Sequence, residues 1–217
     1  MSQIASQRRR HPELESRYNP RGSYRINVST GSVTTVAART TTAGHLFAFR
    51  WADTSGAHCY VRKISARFTL TTAYGTAQET GCDLIVARSY TASHSGGTAV
   101  DTGSTITGTG KLLSHMPTSL MGTAGLVNVA NTGALTAGTQ TLDANPLACT
   151  SGWSSAIGAQ VVDVDGGGRL LYDARRDESP LVLAQDEGFV IRNLILMGAS
   201  GVGRWDFGVE WDEGVPY

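Results

Sequence analysis

Two patterns of apolar and polar positions stand side by side near the C-terminal end of the chain. Phe189, Val190, Ile191, Leu194, Ile195 and Leu196 make a nearly continuous apolar run after Glu187-Gly188. After the glycine-rich stretch 198–203 comes a strict alternation. Trp205, Phe207, Val209 and Trp211 share one parity, and Asp206, Gly208, Glu210 and Asp212 share the other. A period of two with aromatics on one side and acids on the other predicts a strand buried on one face. Two strand-like runs joined by a glycine-rich link predict a hairpin with an inward aromatic face.

The same reading predicts strands along much of the chain. Ser32 to Ala38 is short and β-branched. In His45 to Ala52, Phe47, Phe49 and Trp51 share a parity. In Cys59 to Thr72, Tyr60, Ile64, Ala66, Phe68 and Leu70 do so, and Arg62 interrupts the apolar face, which predicts a bulge or strand end there. Cys82 to Tyr90 centres on Leu84, Ile85, Val86 and Ala87. Further short strands are predicted at 126–129, 139–142, 160–164, 170–172 and 181–184, and only 73–80 offers room for a helix. Residues 91–158 are rich in Thr, Gly, Ser and Ala, with few large apolar groups. They are expected to run as long excursions over a sheet, or as a surface packed on something else. Many short strands separated by Gly, Pro and Asp predict an all-β fold, a β-sandwich with jelly-roll-like connectivity. It would occupy residues 26–217, behind an N-terminal arm at residues 1–25.

Composition supports that division. Of 217 residues, 17% are charged, below the usual ~25%. The formal net charge is zero, but Arg8, Arg9, Arg10, Arg17, Arg21 and Arg25 crowd the first residues while Asp206, Glu210, Asp212 and Glu213 lie near the end. The arm has too few apolar residues to order itself, so it is expected to order on a partner. Arg8, Arg9, Arg10, Arg17 and Arg21 are its candidate contacts, best suited to an acidic neighbour. Tyr18 and Tyr24 are the only aromatics near them, and the body is neutral, so direct nucleic-acid binding is not expected. Cys59, Cys82 and Cys149 are odd in number and lack C-x-x-C spacing, which argues against a disulfide framework or a zinc site. No apolar stretch reaches the ~18 residues that span a bilayer, and no signal peptide is expected.

Candidate chemistry is sparse. Asp163-Val164-Asp165-Gly166-Gly167-Gly168 resembles the start of a calcium loop, but positions five and twelve are Gly167 and Ala174, which carry no ligand side chain. The glycines at 198–203 lack the Lys-Ser/Thr of a phosphate loop. No G-x-S-x-G elbow is present, and the five histidines lack metal spacing. Asp186, Glu187 and the acids of 206–213 could pair across a cleft for glycoside hydrolysis, although acids alternating along a strand more often form a solvated face. No catalytic residue, metal or cofactor is expected.

Three stretches resemble small all-β structural proteins encoded among the head genes of tailed bacteriophages. They are Gly44 to Ala52, Asp83 to Tyr90 with Gly96-Gly97-Thr98, and Leu181 to Asn193 with Val209 to Glu213. The resemblance implies a virion protein of the capsid-associated or decoration (cement) type. Its partners would be the major capsid protein and copies of itself in an oligomer, and its place the phage head, assembled in the host cytoplasm. Two other functions fit such a frame. A tail or receptor-binding module, carbohydrate-binding in one form, would display an exposed aromatic platform, with Trp51 and Trp153 as candidates. A jelly-roll hydrolase would need paired acids in a cleft.

Overall fold

The structure, a computed structural model, describes residues 18–100, 110–112, 116–121, 126–154, 160–162, 169–176 and 179–216. The described residues form an all-β sandwich with no helix. The strands are β1 (Tyr18–Ser29), β2 (His45–Trp51), β3 (His58–Thr72), β4 (Gln78–Ala92), β5 (Thr98–Ala99), β6 (Gly110–Lys111), β7 (Val127–Val129), β8 (Thr139–Leu142), β9 (Ala148–Ser154), β10 (Gln160–Val162), β11 (Arg169–Asp173), β12 (Leu181–Leu183), β13 (Glu187–Asn193) and β14 (Val202–Pro216).

They divide between two antiparallel sheets. Sheet A runs β10-β3-β14-β1-β6, with β11 and β12 also on the edge of β3. Sheet B runs β5-β7-β2-β13-β4-β8, with β9 also on β4. The chain alternates between sheets through β1, β2, β3 and β4, and again from β13 to β14, so the two sheets form the sandwich that the pattern predicts.

The core is aromatic. On sheet A the inward rows are Val28–Phe207–Ala66, Ile26–Val209–Ile64 and Tyr24–Trp211–Val61. On sheet B they are Phe49–Phe189–Val86 and Phe47–Ile191–Leu84. Phe47 meets Phe207 across the sandwich with ring centroids 5.4 Å apart, and Phe49 meets Trp211 edge-on at 5.6 Å. Such pairs add to the area they bury.

The link between β13 and β14 is not a hairpin. The two strands lie in opposite sheets, and the glycine-rich segment crosses the end of the sandwich between them. Both strands bury aromatics in the same core, but from opposite sheets. An alternation pattern specifies which face is apolar and leaves the neighbouring strand open.

Four further expectations change. The first long strand begins at Tyr18, inside the span expected as an arm, because Tyr24, Ile26 and Val28 pair along the whole of β14. Ser32–Ala38 forms only an isolated bridge at Val33. Residues 73–80 hold no helix, and β4 already starts at Gln78. The edge strand β9 had no apolar alternation to announce it. The irregularity at Arg62 is a bulge: Glu210 pairs with Lys63 and Trp211 with Val61, so Arg62 is skipped. Beyond it the inward parity shifts to Val61 and Cys59, both fully buried.

Candidate functional site

The two sheets differ on their outer faces, and that difference organises the polar chemistry of the molecule. On sheet A the central strand β14 carries its polar residues outward, between β1 and β3. Three rows result: Arg25–Glu210–Lys63, Asn27–Gly208–Ser65 and Ser29–Asp206–Arg67. Acids occupy the middle strand and cations flank them. Arg25 lies 3.5 Å from Glu210, and Arg204 lies 3.1 Å from Asp206, which also accepts the Ser29 hydroxyl. The middle row lacks a central side chain at Gly208. A Cβ there would sit 2.7 Å from Ser65 Oγ and 2.9 Å from Asn27 Oδ1. An open depression of about 360 Å³ lies here, lined by Asn27, Ser29, Ser65, Arg67 and Asp206 with the strand backbones. It offers amide, hydroxyl, guanidinium and carboxylate groups to a polar partner. Asp206 is its one carboxylate, so it does not hold the acid pair that glycoside hydrolysis needs.

At the end of the same sheet Asp212 and Glu213 leave the solvated pattern. Asp212 is buried under the bulge, where Arg62 lies 3.2 Å away. An outward, solvated Asp212 is therefore not observed; the bulge brings the guanidinium over it. Glu213 is fully buried. It accepts the Ser119 hydroxyl, the Leu120 N–H at 2.8 Å and the Trp211 indole N–H at 3.1 Å. Burial pushes its carboxyl above the ordinary range, and these three hydrogen bonds and Arg21 oppose the shift. Arg21, the one described member of the expected contact set, lies 4.0 Å from Glu213 and stays partly exposed. Arg8, Arg9, Arg10 and Arg17 lie outside the described residues.

Sheet B is buried on its outer face as well. Its outward rows are His45–Arg192–Asp83, Ala48–Val190–Ile85 and Arg50–Gly188–Ala87. Ile85, Ala87, Val190 and Tyr90 form a second apolar cluster there. Charged pairs close both ends. Arg192 grips Asp83 with two bonds, Nη2 at 2.6 Å and Nε at 3.1 Å, and Arg39 adds a third at 2.6 Å. At the other end Arg50 donates to Asp186 at 2.6 Å and to Ser93 at 3.1 Å, with its guanidinium 5.9 Å from the Tyr90 ring centre. A bulge between His45 and Phe47 sets His45 opposite Arg192. There its Nδ1 lies 2.7 Å from Nε2 of His94, from the loop after β4. Sequence spacing could not find this pair, because 49 residues separate the two histidines.

The remaining candidates separate plainly. Trp51 is fully buried, with its indole N–H on the Ala57 carbonyl at 3.0 Å, so it is a core residue and cannot form a platform. Trp153 is 73% exposed on β9. Asp186 is held by Arg50, and Glu187 accepts the Ala184 N–H at 2.9 Å. Asp163–Gly168 lies outside the described residues. No disulfide joins the cysteines; Cys59 and Cys82 are buried and Cys149 is exposed. Among the described residues no group of three or more His, Cys, Asp or Glu side chains could hold a metal, and no helix is long and apolar enough to cross a membrane. No family model, curated protein or solved structure matches the chain.

Proposed function

We propose that this chain is a structural protein of a tailed-phage particle that binds and reinforces the head lattice as an oligomer. The observation that carries the reading is the asymmetry of the sandwich. Its own loops and charged pairs close the outer face of sheet B, while the outer face of sheet A stays open, with polar and charged side chains in rows across three long strands. A rigid sheet that holds charges in fixed rows meets a complementary surface at little ordering cost. The likeness of three stretches of sequence to head-gene products supplies the partner, the major capsid protein. Arg8, Arg9, Arg10 and Arg17 would add contacts from the arm. A protein that binds only the assembled shell stabilises it by mass action, and several copies joined in one oligomer turn weak contacts into stable attachment.

The test is to mix the purified protein with undecorated heads, pellet them, and measure bound protein and the heat resistance of the shells. Co-pelleting with a raised disruption temperature is expected. A second reading has one observation in its favour: Trp153 stands exposed on an edge strand, as a sugar-stacking residue of a receptor-binding module would. Protein that stays in the supernatant, yet locates to tail tips in intact virions, decides for that reading.

A further inference from the structure

Two short segments close over the His45 end of sheet B. One carries His94 and the other follows β7. The two segments join through a bridge between Ser95 and Thr136, and the Leu135 N–H bonds to the His45 carbonyl at 2.7 Å. The fit is close: a Cβ at Gly97 would lie 2.2 Å from the Val129 carbonyl oxygen, and one at Gly138 would lie 2.3 Å from that of Ala92. His94 ties this cover to the sheet, beside Ser93, which accepts from Arg50 of β2 at 3.1 Å. His94 is 4% exposed and His45 is fully buried. The rings are joined by the single N···N bond, and His94 also packs edge-on against Tyr90 at 5.9 Å. His94 Nδ1 and His45 Nε2 are buried without a well-formed hydrogen bond, although the Thr40 carbonyl lies near enough to His45 to favour its protonated form.

We propose that the His45–His94 pair is an acid-released latch, in which proton uptake by the imidazoles frees residues 92–97 from the outer face of sheet B. An N–H···N bond needs one bare nitrogen. A first proton leaves one bare nitrogen and keeps the bond, but it puts a cation in a buried site; two imidazolium rings present only donors to each other and cannot make it. The Thr40 carbonyl and Asp83 favour a proton on His45, but burial outweighs them. On β13, Arg192 stands beside His45, and its charge disfavours a second cation. On β4, Asp83 favours protonation of His45, but it is already bound by Arg192 and by Arg39 of the preceding loop. Tyr90, also on β4, is a neutral phenol whose burial pushes its ionisation higher. On β2, Arg50 is a further cation, and its acid partner Asp186 is occupied by it.

Burial, and then the neighbouring His45, pushes His94 down to about 4, and burial lowers His45 as well. A released loop would titrate near the ordinary ~6.5. The open form therefore binds more protons, so the closed form is fully favoured above ~6.5 and loses ground as pH falls from there toward 4. For His94 alone, those two values raise the open population about twentyfold between pH 7 and pH 5.

The latch needs no partner, so the isolated protein tests it. Amide protection is measured by hydrogen exchange at pH 7 and pH 5, corrected for intrinsic rates, with the β13 amides as internal reference. Protection of residues 92–97 should fall about twentyfold, as the linkage requires, while β13 holds. His94→Gln, which can hydrogen-bond but takes up no proton in this range, should show a much smaller pH dependence, that of His45 alone. Equal protection of the wild-type loop at both pH values overturns the proposal, and so does an equal fall in His94→Gln. Should that variant not fold, an NMR titration of wild-type protein decides. A His94 imidazole titrating near 6.5 contradicts the latch, and one titrating well below it supports it.

Discussion

Strands β13 and β14 follow one another in the chain and bury aromatics in one core, yet one reads as an apolar run and the other as an alternation. The reason is what lies behind each. Behind β14 is solvent, so its second face carries Asp206, Gly208 and Glu210. Behind β13 is the cover of sheet B, so its second face carries Val190 and the buried Arg192. A strand covered on both faces loses its period of two. Polar groups that remain in it must be paired, which is why Arg192 meets Asp83 with two bonds. The two outer faces therefore differ in kind: sheet A presents charges to the surroundings, and sheet B spends them on holding its own cover.

Substitutions on each side of the sandwich put this contrast to the test. The largest effect is expected in the layer the sheets share. Phe207→Ala removes a ring that meets Phe47 and Trp205, and should cost ~3–5 kcal/mol in denaturant unfolding. Asp83→Ala leaves two guanidinium groups without their acid, one of them buried, and should cost about as much, ~3–5 kcal/mol. A loss below ~1 kcal/mol there would mean that water reaches the outer face of sheet B. Glu213→Gln swaps one carboxylate oxygen for an NH2, so it cannot accept from Ser119, Trp211 and Leu120 together. A loss of ~1–3 kcal/mol is expected, with raised hydrogen exchange at Leu120 and Met121. The smallest effect belongs to the rim of sheet B. Arg88 grips Asp143 at 2.8 Å but is half exposed, so Arg88→Ala should cost only ~0.2–1 kcal/mol, and less at high salt.

The sequence made much of the sheet framework legible and little of the polar chemistry. Phe47, Phe49 and Trp51, then Phe207, Val209 and Trp211, announce their inward faces by parity, and Arg62 announces the bulge by breaking it. The strand at Tyr18–Ser29 was hidden because Arg21 and Arg25 give the segment the composition of a basic arm, although its alternate residues Tyr24, Ile26 and Val28 face the core. The expected hairpin failed because alternation carries no information about which strand lies alongside. The His45–His94 pair and the Arg192–Asp83–Arg39 cluster were illegible for a different reason. Their members come from separate strands and loops, and only the register of β2, β13 and β4 brings them into one row.

The most direct test of the contrast places one negative charge at matching positions on the two outer faces. Val190→Asp puts a carboxylate at the centre of the buried row Ala48–Val190–Ile85, and Ser65→Asp puts one in the solvated row Asn27–Gly208–Ser65. Urea unfolding of both variants beside the wild type measures the difference. Val190→Asp should lose more than ~3 kcal/mol or fail to fold, because a buried charge there finds no partner, while Ser65→Asp should stay within ~0.5 kcal/mol of wild type. Equal and small losses in the two variants would show that both sheets face water and would contradict the account.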